Sequence, residues 1–320
     1  LKSVLPGNFN LPILLILIYL SGCTQAGRRY PEIVERTSAQ SILSLRAVKS
    51  TGPAIDEGNT LVEPAGVTVN KLGQVFLSDR GTNTIFKLSP ALESISGEGG
   101  IGRALGDFNR PMGLAADAAL NLYVADSGNR RIQVLDRNLR YVNSIDSYFD
   151  QDDSPVNFEL PEDICIDGEN SFWITDNDKV IRLDPFFGLQ FEMSYDAPGD
   201  FAVGRVSAVD VSQSDLVAVA DTGNRRIIVA TIYGNLVSRF AVGSVSSLAW
   251  DSYGILWAAD PEAGKLSAYD SEGNLMFVFA ESYPNYRPVR MTFDPSGRLL
   301  VADGARRTLT VYEVVRGAGE

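Results

Sequence analysis

The sequence predicts an all-β fold, a six-bladed β-propeller of four-stranded antiparallel blades with an N-terminal strand closing the last blade. Three observations carry this expectation. Six windows align without a gap on a terminal aspartate: Pro64–Asp79, Pro111–Asp126, Pro161–Asp176, Val206–Asp221, Val245–Asp260 and Pro288–Asp303. Successive aspartates lie 47, 50, 45, 39 and 43 residues apart, close to the period of a four-stranded blade. Each window also carries apolar residues at strand spacing around a turn signal.

Within a window the fourth and sixth positions are apolar, as in Val67 and Val69, Ile164 and Ile166, or Met291 and Phe293. A turn starter follows (Asn70, Asp117, Asp167, Ser212, Asp251, Asp294), whose side chain can accept a hydrogen bond from the backbone two residues on. Gly73, Gly254 and Gly297 supply positive φ for the hairpin. The second strands are continuously apolar, as in Val75-Phe76-Leu77 and Phe172-Trp173-Ile174, which predicts burial on both sheet faces. Third strands follow around Ile85, Ile132, Ile181, Ile227, Leu266 and Leu309.

The last repeat ends after its third strand, and an unpaired edge would be a liability. Ser41–Val48 is the strand-like segment left over, so it is expected to pair with the last blade.

Upstream, Leu11–Leu20 is an apolar run of ten residues, too short to span a bilayer and right for a signal-peptide core. It leads into Leu20-Ser21-Gly22-Cys23, which resembles the lipobox of bacterial lipoproteins and implies acylation of Cys23. Residues 1–22 are therefore expected to be a lipoprotein signal peptide and 23–40 a polar tether. Residues 41–316 would form the propeller, exposed outside the cytoplasm as a membrane-anchored lipoprotein of the cell envelope. Loss of Lys2 with the signal would take the formal charge from −12 to −13.

Histidine is absent, which removes imidazole bases, His-dependent triads and His-ligated metals. The acidic balance argues against a nucleic-acid partner. Cys165 is left as a lone thiol, expected to be buried and structural.

Pro-x-Gly-Leu, Leu122–Ile132 (LYVADSGNRRI) and Ala220–Ile227 (ADTGNRRI) are similar to NHL repeats, a resemblance that extends over about residues 41–316. It implies a propeller whose members include binding modules, sensors and a few enzymes. A gluconolactonase-type hydrolase, with a channel Ca²⁺ polarising the substrate, is the enzymatic alternative. That resemblance would require Glu, Asn and Asp from several inner strands, whereas these offer mainly Asp163 and Asp210. The favoured expectation is a binding or scaffold propeller that recognises a protein or glycan through its variable loops.

The repeats act as an internal control: what every blade shares is scaffold, and what one blade alone carries is a candidate. The six terminal aspartates are shared and are expected to tie loops. Arg130-Arg131, Arg225-Arg226 and Arg306-Arg307 fall on alternate blades and form a candidate basic face. The third window position is small in four blades but Asp163 and Arg290 in the other two, which face each other across the ring. The fifth position holds Asp210, roughly 6.6 Å further along the strand direction. With neighbouring Glu162, these residues make either an internal ion pair that satisfies the channel or a polar pocket for a small ligand. The loop 146–163 holds Asp150, Asp152 and Asp153, a candidate Ca²⁺ cluster without the full calcium-loop motif. No other cofactor is expected.

Overall fold

A computed structural model describes residues 41–317, apart from Glu57 and Pro198. The proposed signal peptide, Cys23 and the tether lie outside the described residues. The fold is all-β: six four-stranded antiparallel sheets, blades I to VI, arranged as a ring. Their innermost strands are Pro64–Val69, Pro111–Ala116, Pro161–Ile166, Val206–Val211, Ser247–Trp250 and Pro288–Phe293. Each packs beside the next, and the sixth packs beside the first.

Closure is non-covalent, as the leftover strand predicted. Ile42–Ser50 pairs antiparallel with Thr308–Arg316, from Ile42 opposite Arg316 to Ser50 opposite Thr310, and becomes the outer strand of blade VI. Its Ile42 and Leu45 are buried in the core between blades V and VI. Blade VI therefore joins the two ends of the described chain.

The continuous apolarity of the second strands has a direct cause. Six hydrophobic clusters fill the six blade interfaces, and alternate residues of one strand serve opposite clusters. In blade I, Leu77 faces blade VI while Phe76 faces blade II. In blade III, Ile174 faces blade II while Trp173 faces blade IV. Burying both faces of each central strand makes every blade dependent on its neighbours.

The hairpins between first and second strands are built alike. Asn70 Oδ1 accepts the N–H groups of Leu72 and Gln74 at 3.0 and 3.1 Å, and Asp251 Oδ1 those of Tyr253 and Ile255 at 2.9 and 3.0 Å. Gly73, Gly254 and Gly297 take the expected positive φ of 74–77°. Leu120, Asn170 and Asp215 occupy the same left-handed position in the other blades. There the fixed turn overrides a side chain's ordinary dislike of that conformation.

Candidate functional site

The repeat aspartates accept loop N–H groups, which accounts for their presence in every blade. All six are buried. Asp79 Oδ2 accepts the Val62 N–H at 2.6 Å from the loop before its blade, and its Oδ1 accepts those of Gly81 and Thr82. Asp126 accepts the Asn109 N–H at 2.7 Å, with Arg131 Nε at 2.8 Å on its other oxygen. Asp221 repeats that arrangement with Gly204 and Arg226 at 3.0 and 2.8 Å. A carboxylate so saturated with donors holds two loops together and has nothing left for chemistry.

At the axis the structure brings Arg290 and Asp163 together. Arg290 leaves blade VI and crosses the channel, its Nη1 lying 2.8 Å from Asp163 Oδ2 in blade III. Its Nε donates to the Ala65 carbonyl of blade I at 2.7 Å, and its Nη2 to the Glu162 carbonyl at 3.3 Å. The Val209 N–H of blade IV donates to the same Asp163 oxygen at 3.2 Å. Four blades thus meet on one buried ion pair, a strut across the channel.

The small residues at the third position make room for this strut. A Cβ on Gly113 would lie 2.5 Å from Asp163 Oδ1 and 2.7 Å from Asp163 Cα. Burial pushes the Asp163 carboxyl above its usual range, against the opposing pull of Arg290 and the Val209 amide.

A cavity of about 180 Å³ adjoins the strut, lined by Thr68, Cys165, Asp210 and Thr292 among others. Asp210 Oδ2 accepts the Trp250 N–H at 2.7 Å. No cation pairs with it among the described residues, and burial pushes its carboxyl up to about 7, with a further push from Asp163. Such a group exchanges its proton near neutral pH, the property required of a general acid or base. Cys165 is half-buried, lining the channel and packed against the hydrophobic cluster between blades III and IV. Burial and the nearby carboxylates of Asp210, Asp163 and Asp167 raise its thiol well above the usual range, which leaves it a poor nucleophile.

Three expectations need correction. Glu162 does not join the channel pair with its carboxylate; Arg205 Nη2 lies 3.1 Å from its Oε1, and only its backbone carbonyl meets Arg290. The six arginines do not form a ring of free cations. Arg131 and Arg226 are bound to Asp126 and Asp221, leaving Arg130, Arg225, Arg306 and Arg307 exposed. Arg306-Arg307 is also shifted by one residue relative to the other pairs, and Arg306 stacks on the Tyr283 ring.

The calcium cluster is the third. Asp150, Asp152 and Asp153 sit in the tip of a hairpin, Ser147–Phe149 against Pro155–Asn157, where Asp150 Oδ1 accepts the N–H groups of Asp152 and Ser154 at 2.9 Å each. The carboxylate closes its own turn. Among the described residues no three acidic or thiol side chains converge to hold a metal ion.

A family profile described as NHL repeat matches residues 108–135, so the chain carries an NHL repeat within a six-bladed propeller. No curated protein sequence matches the chain. Among solved structures, it is similar to a gluconolactonase from Xanthomonas campestris, with a TM-score of 0.65 and 16% identity over 86% of this chain and 97% of that one. It is also similar to a virginiamycin B lyase from Staphylococcus aureus in complex with quinupristin, with a TM-score of 0.63 and 14% identity over 85% and 100% of the two chains. A structure described as streptogramin B lyase matches at 0.62 and 12% identity over 83% and 98%. At these identities the likeness is one of fold.

Proposed function

We propose that this chain is a binding or scaffold propeller that recognises a protein or glycan partner through its loop face. It would be held in the cell envelope by an acyl group on Cys23. The observation that carries the binding reading is the strut: Arg290 has each of its nitrogens engaged by Asp163, Ala65 or Glu162, so the protein's own side chains fill the axis at that level. The loops at one end of the ring vary in length while the opposite hairpins repeat, and variable loops on a rigid frame are where recognition concentrates. The lipobox-like Leu20-Ser21-Gly22-Cys23 supports the anchor.

The test is site-specific photocrosslinking in intact cells. A benzoylphenylalanine at exposed Leu105 or Tyr195, on the loop face, should give a discrete adduct, whereas one at Leu72 or Tyr253, on the hairpin face, should not. Adducts only from the hairpin face would overturn the reading.

Asp210 favours a second reading, hydrolysis of a lactone-type substrate in the channel, in line with the gluconolactonases among the fold's neighbours. Lactone hydrolysis by the wild type that is lost in Asp210→Asn would establish it.

A further inference from the structure

Blade V departs from the other five at the repeat aspartate. In blades I, II, III, IV and VI both carboxylate oxygens accept a donor, which includes an N–H from the loop before the blade. Asp260 Oδ1 accepts the Glu262 and Ala263 N–H groups at 3.1 and 2.9 Å, but its Oδ2 has no hydrogen-bond donor among the described residues. The residue is only 6% exposed.

The cause lies in the chain path. The connection between blades IV and V is the shortest of the five, with 24 residues from Asp221 to Val245. The residue seventeen before Asp260 is Gly243, whose amide makes no hydrogen bond to the carboxylate; a Cβ there would lie 2.1 Å from Oδ2. Lys265 stands where Arg131 and Arg226 stand in blades II and IV, paired across the ladder with the aspartate, yet makes no ion pair with it.

The short connection also leaves a groove of about 530 Å³ at the loop end, between blades IV and V. Asp260, Glu262 and Ser244 line it on one side, and Thr222 and Arg225 on the other. Asp260 lines this polar groove, and its Oδ2, with no donor among the described residues, is open to a cationic hydrogen-bond donor entering it. Blades II and IV show which donor fits: an arginine Nε at 2.8 Å. The exposed Glu262 adds negative charge at the rim, and Arg225 opposite is placed for a backbone carbonyl or an acidic neighbour on the same segment.

We propose that this groove receives an arginine side chain from a protein partner, docked on Asp260 Oδ2 and Glu262, with Arg225 bonded to the partner's chain beside it. This rests on the loop-face reading above and selects protein over glycan within it.

The test uses the full chain and the capped tripeptide acetyl-Gly-Arg-Gly-amide, followed by saturation-transfer NMR. Transfer to the arginine side-chain protons is expected, at least tenfold weaker for the citrulline analogue, which keeps the shape and loses the charge. Glu262→Gln and Asp260→Asn should each weaken binding several-fold. Because Asp260 also holds its turn, Ser244→Phe serves as a second variant that fills the groove and leaves those bonds in place; it should abolish transfer. Equal binding of the citrulline peptide, or no binding to the folded wild type, overturns the proposal. So does transfer to a neutral glucose trisaccharide in place of the arginine peptide. If the peptide fails while crosslinks from Leu105 or Tyr195 persist, the groove assignment falls and the loop-face reading stands.

Discussion

Replacing Arg290 with methionine tests whether the strut compensates a buried charge. The substitution keeps most of the side-chain length and removes the guanidinium, leaving Asp163 buried with the Val209 N–H as a remaining donor to its Oδ2. It also strips the Ala65 and Glu162 carbonyls of donors at 2.7 and 3.3 Å. Breaking one partner of a buried pair costs about 3–5 kcal/mol. For a domain of this size, that is a fall in Tm of roughly 5–9 °C.

Urea denaturation should show the loss as a lower midpoint at unchanged slope, since the folded ring stays equally compact. Two controls give the assay its meaning. Asp163→Leu added to Arg290→Met should recover much of the loss, because two apolar groups replace a pair and no charge is stranded. Acidification should also shrink the deficit of the single variant. Burial already raises the Asp163 carboxyl, and without Arg290 the shift grows. A folded-state pKa above the unfolded one imposes a penalty that is complete above the folded value and absent below the unfolded value. A single variant within about 1 kcal/mol of wild type, or a double variant as unstable as the single, would refute the reasoning.

Two further predictions concern the channel and the ring closure. Asp210 is pushed up to about 7, so its ionisation costs folding free energy that builds as pH rises from about 4 to 7. Asp210→Asn should match wild type in Tm near pH 4 and exceed it at pH 8, and coincident Tm profiles across that range would contradict the assignment. Removing residues 1–50 exposes the edge of Thr308–Arg316 and uncovers the core that Ile42 and Leu45 fill. The shortened chain should elute from size exclusion as aggregate, and a stable monomer with wild-type Tm would show that the closing strand is dispensable.

The ring was legible because six copies repeat the same instructions and the instructions are local. A turn starter closes its own hairpin through the amides two and four residues on, so Asn70 or Asp251 can be read without knowing the rest of the fold. Asp163 and Arg290 stood out because the same position elsewhere holds small residues. Their juxtaposition required only the symmetry of the ring. What stayed hidden depends on the path of the backbone. Asp150 looks like a metal ligand in sequence, yet its carboxylate is occupied by its own turn. Arg131 and Arg226 look like surface cations, but each lies opposite the repeat aspartate in the ladder and is drawn inward.

Blade V shows why the same internal comparison reaches further with coordinates than without. Asp260 and Lys265 preserve the residue types expected of a tie, so nothing in the sequence marks them as different. The difference lies in Gly243, whose amide does not reach the carboxylate, whereas in every other blade an amide of the preceding loop does. A hydrogen bond to a charged group contributes about 1.5–3 kcal/mol, and Asp260 Oδ2, open to the groove, can accept one from outside. An arginine arriving from outside would gain that interaction at a carboxylate already fixed by two amides, with little left to order on this side of the interface. The blade whose aspartate opens on the groove is the proposed point of attachment, and Glu262 and Ser244, ordinary loop residues in sequence, become its rim.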